Sequence, residues 1–166
     1  MKNIIFEKRI KLSDYTTIKV GGIAEYFSKP NSSSEFINLI KWSNSNNQEC
    51  QVIGAGSNLL INNIFLKGLT ICTKNMRSIK IDSSTGIVEA EAGVMLPAMS
   101  NALAKNGLQG GEWSVGIPGT VGGAICMNAG SGDLSLAKNL LSVQVIDPKT
   151  LKVYEIQKKD INFFVK

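Results

Sequence analysis

Five of the fifteen residues in the stretch GIPGTVGGAICMNAG, from Gly116 to Gly130, are glycine, and nearly all the others are small or apolar. Glycine loses more conformational entropy on folding than any other residue. A chain concentrates that cost only where it bends sharply or where something comes very close to the main chain. Pro118 stiffens the stretch, Thr120 offers a hydroxyl, and Asn128 offers an amide that both donates and accepts. A second glycine loop, GAGSNLL from Gly54 to Leu60, directly follows a short apolar run that reads as a buried strand. Successive N–H groups there can converge on an anion, with Ser57 and Asn58 adding side-chain donors. Taken alone, this loop reads more readily as a tight turn. A GxGxxG fingerprint would need glycine where Leu59 stands, and GxxxxGK[ST] does not occur, so neither a Rossmann site nor a P-loop is expected. Two such loops in one small chain are harder to explain as turns, whereas a bound nucleotide would account for both.

Composition narrows the function classes. The 166 residues can bury about two-thirds of the surface that the unfolded chain exposes, as one domain or as two small lobes. No apolar run is long enough to span a bilayer, and charges interrupt the N-terminal KNIIFEKRIKL, so no secretory signal and a cytoplasmic location are expected. The net charge of +5 would suit an anionic partner, but the lysines are scattered and do not interleave with aromatics. The expectation is therefore no nucleic acid and no membrane. Histidine is absent, which removes His-based triads and imidazole acid–base chemistry. Cys50, Cys72 and Cys126 are widely spaced and odd in number, so neither disulfides nor a metal site is expected.

Periodicity predicts mixed elements. SSSEFINLIKWSNSNN carries Phe36, Ile37, Leu39, Ile40 and Trp42 at helical spacing, with Ser32 and Glu35 in a capping-box pattern. LPAMSNALAKNGL predicts a second helix with Met95, Met99, Ala102 and Leu103 on one side, stopping at Gly107. CQVI and LTICT read as strands, and SIKIDSSTGIVEAEAG and LLSVQVIDPKTLKVYEIQ as hairpins. Prominent antiparallel pairs point to an α+β fold, with a lobe boundary near Lys74 to Arg77.

TTIKVGGIAEYF, VIGAGSNLLI and GIPGTVGGAICMNAG, in that order and spacing, resemble the FAD-binding part of the UDP-N-acetylenolpyruvoylglucosamine reductase family. The resemblance implies an α+β, two-lobed FAD-binding domain of the vanillyl-alcohol-oxidase/PCMH type, with lobes at 1–75 and 76–166 and the later substrate domain absent. It implies that Gly54, Ala55, Gly56, Ser57 and Asn58 cradle the FAD pyrophosphate. It further implies that Gly116, Ile117, Pro118, Gly119, Thr120, Gly122, Gly123 and Ala124 run along the flavin and its ribityl-phosphate chain. Val20, Gly21 and Gly22 either pack near the cofactor or form a simple turn, and Glu112 either caps locally or touches it.

In that family NADPH reduces FAD, and the enolpyruvyl group of a UDP-sugar is reduced in turn, for peptidoglycan synthesis. Where the family has a Tyr-Arg pair this chain has Val165-Lys166, so Lys166 is the catalytic candidate, without arginine's bidentate fork. Where the family continues Ala-Tyr-Gly after Asn-Ala-Gly, this chain has Ser131-Gly132-Asp133. The expectation is a chain that binds FAD and does not complete the reductase reaction by itself. A non-catalytic or split flavin-binding module, another oxidoreductase of the same flavin fold, and an anion- or nucleic-acid-binding protein are the competing readings.

Overall fold

The structure, a computed structural model, describes residues 5–163. Its first sheet joins β1 (Glu7–Lys11), β2 (Ile23–Ser28), β4 (Phe65–Cys72) and β3 (Cys50–Ile53) in that order. β1 and β2 are antiparallel, while β2 and β3 both run parallel to β4. Parallel neighbours bring their carboxyl ends to the same side, and the Gly54 loop leaves from that side, where open α/β sheets commonly hold ligands.

The buried run of β4, Leu69 to Cys72, packs on both faces. Leu69 and Ile71 meet Leu39 and Ile40 of α1 (Ser33–Ser45), with Phe6, Tyr26 and Trp42 around them. Cys72 faces the other way, into Leu12, Ala24, Phe27 and Ile53. Ser32 caps α1, its hydroxyl accepting the Glu35 amide at 3.2 Å. The expected reciprocal bond falls one residue earlier, because the Glu35 carboxylate accepts from the Asn31 amide at 2.8 Å.

A second cluster gathers Val94, Leu96, Val121, Ala124 and Leu136, with Ile79, Ala90 and Met99 against it. It ties the hairpin β5 (Ile79–Asp82) and β6 (Ile87–Ala90) to α2 (Leu96–Lys105) and α3 (Val121–Met127). Met95, placed on the inner helix side by periodicity, is instead the residue preceding α2, and Leu96, Ser100 and Leu103 are its buried positions. Beyond α3 come the short antiparallel pair β7 (Gly130–Ser131) and β8 (Leu134–Ser135) and the single turn α4 (Leu136–Asn139).

The chain then forms the hairpin β9 (Ser142–Ile146) and β10 (Val153–Gln157). Its connecting turn reaches back to the first sheet's helical side. Ile146 and Leu151 pack beside the α1 cluster, and the Asn44 side-chain amide donates to the Pro148 carbonyl at 2.6 Å. Among the described residues no helix is long and apolar enough to cross a membrane.

Candidate functional site

The two glycine loops, some sixty positions apart in sequence, touch. Ser57 Oγ donates to the Pro118 carbonyl at 2.7 Å. A Cβ placed on Gly54 would stand 2.4 Å from Thr120 Oγ1, so the loops interlock where position 54 has no side chain. Gly56 has φ +72°, and a Cβ there would lie 1.9 Å from the Tyr15 carbonyl oxygen. At both positions the chain's own backbone or side chain demands glycine. Gly116 differs, since nothing of the protein lies within 4 Å of a Cβ built on it.

The segment from Thr16 to Gly22 joins the same seam. Thr17 N–H donates to the Gly56 carbonyl at 3.1 Å, and Gly22 N–H to the Asn62 carbonyl at 3.0 Å. Thr16 Oγ1 closes that segment by donating to the Val20 carbonyl at 2.8 Å. The three quoted motifs therefore converge, and Gly22 is glycine because the Ile64 backbone lies against it.

The candidate residues fall into two groups by the hydrogen bonding of their backbone amides. Among the described residues none of the N–H groups of Gly54, Ala55, Gly56, Ser57 and Asn58 has an acceptor, nor do those of Gly116, Gly119 and Thr120. Gly56, Gly119 and Thr120 are buried, where unpaired backbone donors are rare, whereas Asn58 and Gly116 are exposed. Such a run is completed by water or by ligand oxygens, and an anion with several oxygens suits it.

The amides at the start of α3 are spent internally. Val121 donates to the Val94 carbonyl at 2.8 Å, Gly122 to the Ala92 carbonyl at 2.9 Å, Gly123 to Thr120 Oγ1 at 3.3 Å and Ala124 to the Thr120 carbonyl at 2.8 Å. Gly122, Gly123 and Ala124 can meet a ligand through Cα hydrogens and shape, with no amide to offer.

The helix α3 itself is a correction to reading the whole stretch as loop. Thr120 caps its start, and Asn128 ends it in the left-handed region at φ 44°. Near that end lies a cavity of 440 Å³ lined by Ile125, Cys126, Met127, Asn128, the hairpin residues Val143, Val145 and Ile156, and Ile161 to Phe163. Asn128 Oδ1 is buried there with no partner among the described residues. An apolar cavity with one orphaned acceptor suits a flat ring that carries an N–H donor. Cys126 and Asn128 became visible as a pair only once the fold placed them at this cavity.

The remaining candidates have local roles. Glu112 accepts the Gly110 amide at 2.8 Å, a local bond that does not cap the short helical turn it begins. Ser131, Gly132 and Asp133 make the tight turn between β7 and β8, with Gly132 at φ +59°. Burial pushes the Cys72 thiol pKa up, and its Sγ donates to the Gly54 carbonyl at 3.7 Å. Lys29 is pushed up too, chiefly because its ammonium donates to the Tyr15 hydroxyl at 3.5 Å. Val165 and Lys166 lie outside the described residues.

Residues 24–152 match the family model described as FAD binding domain. The chain is 78% identical over 163 residues to the UDP-N-acetylenolpyruvoylglucosamine reductase of Prochlorococcus marinus, covering 98% of this chain and 55% of that protein. The reductase of a Synechococcus strain is 47% identical over 143 residues, 86% of this chain and 47% of its own length. The chain thus spans about half the length of these curated relatives.

Among solved structures, UDP-N-acetylenolpyruvylglucosamine reductase from Thermus caldophilus superposes with a TM-score of 0.75 at 28% identity, over 96% of this chain and 56% of that one. 6-Hydroxy-D-nicotine oxidase from Arthrobacter nicotinovorans shares the fold, with a TM-score of 0.68 at 18% identity, over 88% of this chain and 32% of its own. The fold is the expected α+β one of the vanillyl-alcohol-oxidase/PCMH type.

Proposed function

The chain belongs to the family of FAD binding domains, and from that premise we propose that it is the cofactor-holding part of an NADPH-dependent reductase. The reaction is conversion of UDP-N-acetylenolpyruvoylglucosamine to UDP-N-acetylmuramate, for peptidoglycan. The observation that carries the reading is the seam between the two glycine loops, where amides of both have no acceptor among the described residues at an interlocked junction. Bound FAD would supply the redox chemistry, accepting hydride from the nicotinamide and delivering it to the enolpyruvyl double bond.

The chain's residues bind and orient. The amides of Gly54, Ala55, Gly56, Ser57 and Asn58, with those of Gly119 and Thr120, hold the diphosphate oxygens. Gly116, Ile117, Pro118, Gly122, Gly123 and Ala124 shape the passage along α3. The cavity at Asn128 would hold the ring system, where the buried Oδ1 would offer an acceptor to a ring N–H against a largely apolar lining. The lobes are 1–75 and 76–166, with the cofactor between them, and the chemistry is cytoplasmic. Lys166 stands at the family's arginine position and offers a point charge to a developing enolate. Substrate binding and proton delivery belong to the half of the relatives that lies outside the match.

Purified protein mixed with FAD and passed through gel filtration tests the reading. Visible flavin bands are expected to travel with the protein, and their absence would overturn it. NADPH consumption dependent on the enolpyruvyl substrate is expected only when the remaining half of a relative is supplied. Turnover by this chain alone would overturn that division of labour.

A further inference from the structure

Among the described residues the hairpin β9–β10 pairs with no other strand. A two-stranded hairpin is marginal by itself, so its position depends on what else it touches. Among those residues one hydrogen bond joins 142–157 to the rest of the chain, from the Asn44 side-chain amide of α1 to the Pro148 carbonyl at the hairpin tip, 2.6 Å long. Ile146 and Leu151, on either side of that tip, pack beside Leu39, Ile40, Leu69 and Ile71, whereas no hairpin residue joins the apolar cluster around α3.

The turn at the tip presents an unexpected residue. Asp147 Oδ1 accepts the Lys149 amide at 2.7 Å and the Thr150 amide at 3.1 Å, and the Asp147 carbonyl accepts the Leu151 amide at 2.8 Å. That network leaves Leu151 in the left-handed region at φ +58°. Glycine or asparagine suits such a position, and a leucine there carries a steric cost. As turn chemistry alone leucine is a poor choice, but as an apolar side chain delivered to the α1 cluster it has a reason to be there.

Along its length the same hairpin borders the candidate site. Val143 and Val145 of β9 and Ile156 of β10 line the 440 Å³ cavity together with residues 125–128 at the end of α3. One wall of that cavity is therefore carried by an element whose ties lie at its tip, against α1. We infer that the Pro148 tip is a latch by which Asn44 and Leu151, acting as positioning residues, hold β9 in place as a wall of the cavity. That the cavity takes a flavin ring rests on the FAD reading, whereas the hold of the tip on the hairpin does not.

Hydrogen exchange of the whole ligand-free chain, read by mass spectrometry, tests the latch in Asn44→Ala, Leu151→Gly and Leu151→Met. The glycine variant gives opposite signs for the two roles. Were Leu151 only a turn residue, glycine would relieve its backbone and slow exchange of residues 142–157. With the latch released, exchange there should instead speed up about tenfold, and about fivefold in Asn44→Ala, while residues 79–90 and α3 stay as in wild type. Leu151→Met, which keeps a long apolar side chain, should exchange as wild type does. Slower or unchanged exchange in Leu151→Gly, or acceleration spread evenly through the chain, would overturn the latch. FAD at about ten times its Kd should slow hairpin exchange about tenfold in wild type and in both loosened variants, because only the latched hairpin completes the wall. Hairpin exchange unmoved by bound FAD would overturn the link to the cavity. If the wild-type chain binds no FAD, the FAD reading falls and the ligand-free exchange still decides whether Asn44 and Leu151 hold the hairpin.

Discussion

At position 54 a methyl group would stand 2.4 Å from the Thr120 hydroxyl, and Thr120 is itself buried and caps α3. Gly54→Ala is therefore expected to cost about 1–3 kcal/mol of stability by overpacking. Because the clash is with one oxygen, the same change in a Thr120→Ala background should cost less. A double-mutant cycle by denaturant unfolding checks this, and additive costs would mean that the loops do not interlock as described.

Thiol chemistry gives a second reading of the site. Cys126 is exposed and lines the cavity at the end of α3, while Cys72 is buried and burial pushes its pKa up. Iodoacetamide at neutral pH is expected to modify Cys126 well before Cys72, and added FAD to slow modification of Cys126. Mass spectrometry of the labelled peptides reports both, and undiminished labelling of Cys126 at saturating FAD would contradict the placement of the ring. Residues 54–58 and 116–124 stood out in the sequence by their glycines. Why Gly54 and Gly56 are glycine could not be read there, since the reasons are Thr120 and Tyr15, far along the chain.

The elements that sequence shows well are those with local signals. α1 has an apolar helical stripe and a serine cap, and the two hairpins alternate on either side of turn-forming residues. β1 is harder to see because it is an edge strand of charged, mostly exposed residues, the composition that protects an edge from further pairing. α3 is hidden because Gly122 and Gly123 depress helix propensity, and beyond the local Thr120 cap its support is tertiary, through the Val94 and Ala92 carbonyls.

Asn128 closes α3 at positive φ, so Asn128→Gly should melt within about 1 kcal/mol of wild type, whereas Asn128→Val should be clearly less stable. If the valine variant melts with the wild type, the left-handed cap is not formed. In the β5–β6 turn, hydrogen bonds from the Ser84 and Thr85 hydroxyls, followed by the Ser84 amide, lower the Asp82 pKa from 3.8 to about 2. A carboxylate depressed in the folded state adds stability above its unfolded pKa and loses it as pH falls through the folded one. The contribution should therefore fade between about pH 4 and pH 2, and Asp82→Asn should remove that part of the acid profile. A carboxyl carbon titrating near 4 by NMR would contradict it.

On the scale of the molecule, the parallel pair β3–β4 delivers the Gly54 loop, the Val121–Val94 hydrogen bond and the Met95–Thr120 bridge hold the second loop, the two loops meet at Ser57 and Pro118, and the first also meets the Thr16–Gly22 segment. The overall class was legible because hairpins and helices alternate without the rhythm of a doubly wound sheet. That the hairpin turn at Pro148 folds back onto α1 was not, because it depends on one side-chain amide and two apolar residues with no local signal. If the interlocked loops grip a dinucleotide by its diphosphate, flavin affinity must depend on that diphosphate. Competitive titration of the purified chain with FAD, FMN and riboflavin, followed by flavin fluorescence, tests it most directly. Affinity is expected to fall steeply from FAD to riboflavin, by at least about a hundredfold, as several charge-assisted hydrogen bonds are lost. Riboflavin binding as tightly as FAD, or no flavin binding at all, would contradict it.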